Sequence, residues 1–399
     1  MSRRLGRGGG SVIGGMAMLA VDPSALGHLA AGRPVVLVSG TNGKTTTTSL
    51  LAAALGTLGP VASNAQGANL PAGVAAALAG APPAAPAALE VDEAWLPNVV
   101  RRTAPAAIVL LNLSRDQLDR NNEVRTLATS WREALGGLDA TLVVANADDP
   151  LVAWAAGRSP RVRWVAAGQR WTADAAGCPA CGGRIDFAPA GWACASCDLR
   201  RPPVEVAVDP DGLVDAAGSR RPLVVGLPGR ANRANAAMAL CAAVSLGADP
   251  DAALAAMAAA TEVVGRYRVV PVGAGSARLL LAKNPAGWLE VLDVLSAPPA
   301  PAVVAINARI ADGRDPSWLW DVPFEELAGR RVVATGERGR DLAVRLRYAG
   351  VEHSFEPDAV RAVRMAVDNA GPGAGPVDVV GNYTAFQVLR TALGREVAG

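Results

Sequence analysis

The chain has 399 residues, of which 51% are hydrophobic, 19% charged and 4% aromatic, and its 38 basic residues nearly balance 36 acidic ones. That length suits two or three domains, each able to bury a core, and the net charge of +2 excludes a globally basic nucleic-acid binder or a strongly charged membrane-surface protein. Gly or charge interrupts every apolar run before it reaches the 18 or so residues of a membrane span, and the Ala/Gly-rich, charge-balanced composition points to a compact α/β enzyme.

Ser2-Arg3-Arg4 followed by Ser11–Val21 faintly resembles an export signal. However, Gly14 and Gly15 interrupt its apolar stretch and Asp22-Pro23 follows at once, so a cytoplasmic protein is expected. A short apolar helix then carries His28. Pro34–Ser39 reads as a buried strand, and Gly40-Thr-Asn-Gly-Lys-Thr45 follows directly, opening an Ala/Leu-rich helix from Thr46. Glycines there let backbone N–H groups wrap phosphate oxygens, Lys44 supplies a point charge, and Thr45 offers a hydroxyl to Mg²⁺. All basic residues except Lys44 and Lys283 are Arg, which singles out these two compact ammonium groups. Leu89-Glu90-Val91-Asp92-Glu93 places acids at the end of another strand, where a Mg²⁺-binding carboxylate belongs. Ile108–Asn112 and Thr141–Asn146 read as further strands, each ending in polar residues.

Cys178-Pro-Ala-Cys181 and Cys194-Ala-Ser-Cys197 form paired knuckles with twelve residues between the inner cysteines. This is the spacing of a tetrahedral zinc ribbon, with Gly182-Gly183 as a turn and Gly191-Trp192 as the returning strand. Two disulfides fit poorly with a cytosolic ATP enzyme. With all four positions filled by protein, the zinc is structural. Cys241 falls in Asn235–Gly247, an apolar stretch at helical spacing, and reads as core. With Cys241 as the one thiol outside the ribbon and only His28 and His353 as histidines, the chain lacks an evident Cys–His nucleophile pair.

From about residue 270 a second α/β unit is predicted. Its strands are Ala302–Ile306, Arg331–Ala334 and Val377–Val380, and its helices lie near Arg340–Tyr348 and Ala359–Asn369. The loop Asp312-Gly-Arg-Asp315-Pro-Ser-Trp318-Leu-Trp320-Asp321 follows the first of these strands, where α/β folds place function. A turn with two tryptophans packed on the core is the plain alternative.

Val38-Ser-Gly-Thr-Asn-Gly-Lys-Thr-Thr-Thr47 resembles the ATP loop of the Mur ligases and folylpolyglutamate synthases. Several further stretches appear in the order of the same family. They are Ser63-Asn64 with Gly67-Ala-Asn69, Glu90-Val-Asp-Glu93, Asn112-Leu-Ser-Arg-Asp-Gln-Leu-Asp119, Val144-Ala-Asn-Ala-Asp-Asp-Pro150, Leu227-Pro-Gly-Arg-Ala-Asn-Arg-Ala-Asn235 and Gly265-Arg266. Departures narrow the likeness. No UDP-binding domain precedes the ATP loop, and Gln117 stands where classical members carry a metal-holding His. The absence of any Lys between Lys44 and Lys283 removes the carbamylated Lys of a second metal site. With the inserted ribbon, Leu280 at a position where a ribose-binding Asp often lies, Arg4–Gly10, Leu281–Gly287, Asn307, Ala311–Asp321, Thr335–Arg338 and Asn382–Phe386, the chain is similar to the MurT subunits of lipid II isoglutaminyl synthases.

The resemblance implies a Mur-ligase-type central ATP-binding domain over 34–265, with the ribbon inserted at 176–201. An N-terminal segment, 1–33, precedes it and a Rossmann-like α/β domain, 266–399, follows. It also implies ATP-dependent amidation of the α-carboxylate of D-Glu in the lipid II stem peptide, with ammonia from a GatD-type glutaminase partner. The work would be done at the inner face of the cytoplasmic membrane through contact with the substrate alone.

Such chemistry needs a phosphate cradle, here Gly40, Thr41, Asn42, Gly43, Lys44, Thr45 and Thr46. It also needs a metal carboxylate, Glu90 beside Thr45, and charge at the γ-phosphate. Arg266 and Lys283 are expected to supply that charge and Asn232 to contact the adenine or α-phosphate. Surface ion pairs are the plain alternative for Arg266 and Lys283. By resemblance an Asp of this subunit completes the partner's Cys–His pair. Asp315 is the expected residue, with Asp312 and Asp321 as rivals. A stand-alone ligase that adds an amino acid to a carboxylate is the main alternative. A zinc-ribbon nucleic-acid binder is a third, with only Arg184, Arg200, Arg201 and Trp192 near the ribbon to support it.

Overall fold

The computed structural model describes residues 11–64, 67–116, 124–260, 267–295, 297, 299–371 and 373–396. The chain forms two compact units, one of 1–114 with 123–261 and the other of 115–122 with 262–399.

The first unit is built on a nine-stranded sheet. Its strands are β1 (Val35–Ser39), β2 (Ala62–Ser63), β3 (Ala87–Glu90), β4 (Ala107–Leu110), β5 (Leu142–Asn146) and β6 (Val162–Ala166), then, past a separate hairpin β7 (Ile185–Ala188) and β8 (Gly191–Cys194), β9 (Val206–Asp209), β10 (Gly212–Asp215) and β11 (Arg220–Arg221). Their order is β11-β10-β9-β6-β5-β4-β1-β3-β2, parallel except for the β9–β10–β11 meander. β1, β3 and β4 are buried along their whole length, and apolar but for Ser39 and Glu90 at the carboxyl ends of β1 and β3, as central parallel strands covered on both faces must be. The helices of this unit are α1 (Ser11–Val21), α2 (Ala25–Ala30), α3 (Lys44–Leu55), α4 (Pro71–Ala79), α5 (Leu96–Thr103), α6 (Val124–Leu135), α7 (Pro150–Ala156), α8 (Arg230–Ser245) and α9 (Pro250–Ala258). Two cores fill its faces, one around Leu37, Leu89 and Trp131, the other around Val38, Leu51 and Met238. Leu26 and Ala30 of α2 bury in the former, so the stretch ahead of β1 joins this unit's core.

β3 and β4 flank β1 on opposite sides. The chain therefore reverses its direction of travel across the sheet at β1, and a crevice opens outside the carboxyl ends of these three strands. Gly40–Thr45, Glu90–Glu93 and Asn112–Ser114 all emerge there.

The second unit carries a six-stranded sheet of β12 (Tyr267–Val272), β13 (Gly275–Leu281), β14 (Ala302–Ala305), β15 (Val332–Thr335), β16 (His353–Phe355) and β17 (Val377–Gly381). Their order is β12-β13-β17-β14-β15-β16, antiparallel only at β12–β13. Helices α10 (Pro285–Leu292), α11 (Gly339–Tyr348), α12 (Ala359–Ala370) and α13 (Tyr383–Glu396) accompany it. Pro at the first turn recurs in α4, α7, α9 and α10, preceded in the last three by a capping Asp or Asn, a signal that is local and readable.

Candidate active site

The phosphate loop joins β1 to α3. Gly43, in the left-handed region at φ 87°, is the residue before α3, and Gly40 has φ 147°. A Cβ on Gly43 would stand 2.7 Å from Asn235 Oδ1, and one on Gly40 would meet Leu111 and Asn112 at 2.8–3.0 Å. Both glycines are thus required by conformation and by close approach together.

The chain after β4 holds the loop in place. Asn112 Oδ1 accepts from Asn42 N at 2.9 Å while Asn112 Nδ2 donates to Asn42 O at 3.0 Å. Thr41 N donates to Asn112 O, and Thr41 Oγ1 both donates to Ser114 O and accepts from Ser114 N. Leu113 N, between these clamps, donates to Asp149 Oδ2 at 2.8 Å. Asp149 also caps α7 through Leu151 N and Val152 N. Its carboxyl is wholly buried, and desolvation pushes its pKa up to about 6 despite the N–H donors.

Lys44 is buried. Its Nζ donates to Gly40 O at 2.6 Å and Thr41 O at 3.3 Å and pairs with Glu93 Oε2 at 2.9 Å. Glu93 is equally buried, so the pair offsets the cost of taking both charges out of water. Thr45 Oγ1 donates to Glu90 Oε2 at 2.8 Å, and Asn69 Nδ2 donates to Glu90 Oε1 at 3.2 Å. Asn64 brackets Glu90 from the backbone side, accepting from its N and donating to its O. A hydroxyl and a carboxylate thus converge beside two glycine cradles, the donor set that Mg²⁺ with a nucleotide phosphate would require.

Thr46 is buried in the first turn of α3. Asn232, in the first turn of α8, donates to Pro228 O at 2.6 Å. Arg266, Gly265 and Gln117 lie outside the described residues. The sequence motifs assign no role to Glu93 or Asn235. The first is the partner of Lys44 and the second backs the phosphate loop.

The four ribbon thiols lie within 4.8 Å of one another, with Cys178 and Cys197 sulfurs 3.7 Å apart and Cys181 and Cys194 sulfurs 3.5 Å apart. Tetrahedral Zn–S bonds of about 2.3 Å set sulfur separations of roughly 3.8 Å, so the donor set fits zinc. Gly183 N and Ser196 N donate to the Cys181 and Cys194 sulfurs. The ribbon is fastened to this unit by buried Trp192, whose Nε1 donates to Ala147 O, and by Arg201, which pairs with Asp148 at 2.6 Å. Cys241 is buried in α8, and burial raises its thiol to about 11, which leaves no thiolate for nucleophilic work at neutral pH. His28 Nδ1 lies 3.0 Å from Asp22 Oδ2, and His353 Nδ1 lies against Val351 O.

In the second unit the loop after β14 separates its three aspartates. Asp312 is buried and accepts from Thr384 N at 2.8 Å, from Thr384 Oγ1 and from Arg309 N, which ties the loop to the start of α13. Asn307 and Asn382 exchange side-chain and backbone hydrogen bonds beside it. Asp321 is partly exposed and pairs with Arg115 at 3.3 Å. Asp315 is exposed and, among the described residues, accepts within its own turn from Ser317 N and Oγ. The alternative of two core-packed tryptophans holds for one of them. Trp318 is half-buried against the core, whereas Trp320 is 55% exposed and stands edge-on to exposed Tyr348. Lys283, just ahead of α10, pairs with Asp116 in a largely buried contact that Asn284 shares.

Two family models match the chain, the Mur ligase middle domain over residues 38–177 and the MurT ligase C-terminal region over 281–386. The subunit MurT of lipid II isoglutaminyl synthase (glutamine-hydrolysing) from Streptococcus pneumoniae is 29% identical, over 98% of this chain and 93% of that one. The same subunit from Staphylococcus aureus N315 is 28% identical over 100% and 96%. Among solved structures, a pseudomurein peptide ligase type C from Methanothermus fervidus superposes with a TM-score of 0.69 at 18% identity, over 92% of this chain and 79% of that one, a likeness of fold.

Proposed function

Because the chain belongs to the Mur ligase family, we propose that it is the synthase subunit of a lipid II isoglutaminyl synthase, amidating the α-carboxylate of D-Glu in the lipid II stem peptide to D-isoglutamine. The observation that carries this reading is the match to two MurT subunits over nearly the whole of both chains, joined to a buried Lys44–Glu93 and Thr45–Glu90 constellation at the phosphate loop.

A carboxylate resists attack by ammonia, so it is first activated. Its oxygen attacks the γ-phosphorus of ATP, ADP leaves, and an acyl phosphate forms. Ammonia then adds to the acyl carbon, loses a proton and expels phosphate, leaving the amide. In this scheme backbone N–H groups of Gly40–Thr45 hold the phosphate oxygens and Lys44 neutralises charge as it develops. Thr45 and Glu90 would hold Mg²⁺, which when bound would supply Lewis-acid polarisation of the phosphates. Asn232 and the cations Arg266 and Lys283 are proposed to assist at the nucleotide. Cys178, Cys181, Cys194 and Cys197 would hold a structural zinc, in a ribbon that Trp192 and Arg201 fasten to Ala147 and Asp148.

The ammonia comes from a glutaminase partner of GatD type. Asp315 is assigned as the residue offered to that partner's Cys–His pair, because Asp312 is committed to Thr384 and Asp321 to Arg115. Exposed Trp320 and Tyr348, next to this loop in the same unit, supply the aromatic area that protein interfaces favour.

The test is amidation of purified lipid II by the purified chain with ATP, with ammonium chloride compared against glutamine. A loss of about 1 Da with ammonium, and with glutamine only after the partner is added, is expected. A product heavier by a whole amino-acid residue would replace this reading with a stand-alone ligase.

A further inference from the structure

Helix α1 holds no charged residue, and it is covered on one flank only. Gly15 lies so close to α4 that a Cβ there would run into the Ala72 carbonyl oxygen, and Met18 and Leu19 pack on the first unit's core. The other flank presents Val12, Ile13 (58% exposed), Met16 (60%) and Val21 (88%). Val12, Ile13 and Met16, with exposed Ala20, follow the i, i+1, i+4, i+8 spacing of a single helix face. A helix that is apolar all round is ordinarily buried all round, so the bare flank of α1 needs a cover. Between α1 and α2 lies a cavity of about 490 Å³ lined by Ala17, Met18, Val21, Ala25 and Leu29, with the hydrogen-bonded Asp22 and His28.

Charge indicates which cover fits. Arg3, Arg4 and Arg7 precede the helix in sequence and no acid occurs before Asp22, so the first 21 residues bring only positive charge to an uncharged apolar face. Among the described residues no helix is long and apolar enough to cross a membrane. Basic residues flanking a short, exposed apolar helix are suited to lying in the headgroup layer of an anionic bilayer, with the apolar face a few ångströms below the phosphates. We infer that α1 is an interfacial docking helix that seats the first unit on an anionic lipid surface. Val12, Ile13 and Met16 enter the acyl boundary, and the positive charge that precedes the helix in sequence draws it to anionic lipid. This reading stands on α1 and the charge that precedes it in sequence, and not on the amidation chemistry, although an enzyme whose substrate is lipid-linked works at such a surface.

Sedimentation of the full chain with vesicles tests it without substrate, partner or nucleotide. Binding is expected to vesicles of phosphatidylcholine with phosphatidylglycerol, with at least tenfold weaker binding to phosphatidylcholine alone and steep loss at high salt. The double variant Ile13→Asp/Met16→Asp and the triple variant Arg3→Glu/Arg4→Glu/Arg7→Glu should each lose binding about tenfold or more, with an unchanged melting temperature. Met16→Trp provides a readout that does not depend on a loss, a blue shift of the added indole fluorescence, taken as the difference from the parent, when anionic vesicles are introduced. Equal binding of the Asp variant and the parent overturns the inference, as does a Met16→Trp difference spectrum that the vesicles leave unshifted. A self-associated parent that the Asp variant converts to monomer overturns it too, because a second copy then covers the face.

Discussion

The phosphate loop of the first unit and the acidic loop of the second both place carboxylates beyond the carboxyl ends of parallel strands, yet they use them differently. At the phosphate loop Glu90 accepts from the Thr45 hydroxyl and the Asn69 amide, Glu93 pairs with the Lys44 ammonium, and both carboxylates are buried. In the acidic loop three aspartates fall within ten residues, and what separates them is brought from elsewhere in the unit. Thr384 engages Asp312, Arg115 engages Asp321, and Asp315 keeps to its own turn. A backbone-dictated cradle reveals itself by spacing. A carboxylate's role depends on which partners the tertiary fold delivers.

The largest effect that would break this contrast lies in the first unit. Lys44→Ala or Glu90→Ala should lower ATP-dependent phosphate release about 10³-fold while leaving the fold intact by circular dichroism, because each removes charge at the phosphates. A change under about tenfold in either would place the phosphate chemistry elsewhere.

The acidic loop should respond by splitting. Asp315→Asn is expected to cut glutamine-driven amidation about 10²-fold while ammonium-driven amidation stays within about twofold of the parent. Asp312→Ala should destabilise the second unit by roughly 2–3 kcal/mol, through the hydrogen bonds it strips from Thr384 and Arg309, and depress both activities together. The reverse pattern would exchange the roles of the two residues.

A smaller effect sharpens the picture of the loop's clamp. Asp149 titrates at about 6 in the native state against a usual 3.8, so the folded chain holds a proton across this window that the unfolded chain releases. Its contribution to stability is therefore greatest below about pH 4, declines as pH rises to about 6 and is flat above that. Melting temperatures across this range should fall a few degrees more in the parent than in Asp149→Asn, which has no carboxyl to ionise. Parallel slopes in the two proteins would remove burial as the dominant influence on Asp149.

Much of the first unit was legible because its signals are local. Strand, glycine loop, Lys and Thr lie within a dozen residues, and the paired knuckles announce the ribbon. The exact partners were not legible. Glu93 lies 49 residues from Lys44 and Asn235 meets Gly43 across two helices, so no spacing rule brings them together. Lys283 takes Asp116, 167 residues earlier, as its partner in the fold, a pairing that no spacing rule encodes. Trp320 carried an apolar signal that suggested core, and its exposure follows from the turn that Asp315 caps and from Tyr348 on α11, neither of which a linear pattern encodes.

The scarcity of lysine has a practical consequence. Lys44 opens α3 in the first unit and Lys283 precedes α10 in the second, and each ammonium is paired with an acid of its own unit. A sample grown with ¹⁵N-lysine therefore carries two backbone amide resonances, one reporting on the phosphate loop and one on the entrance to the second sheet's helices. Nucleotide, metal and a glutaminase partner can each be titrated into the same tube, and the signal that moves first identifies the unit each one reaches.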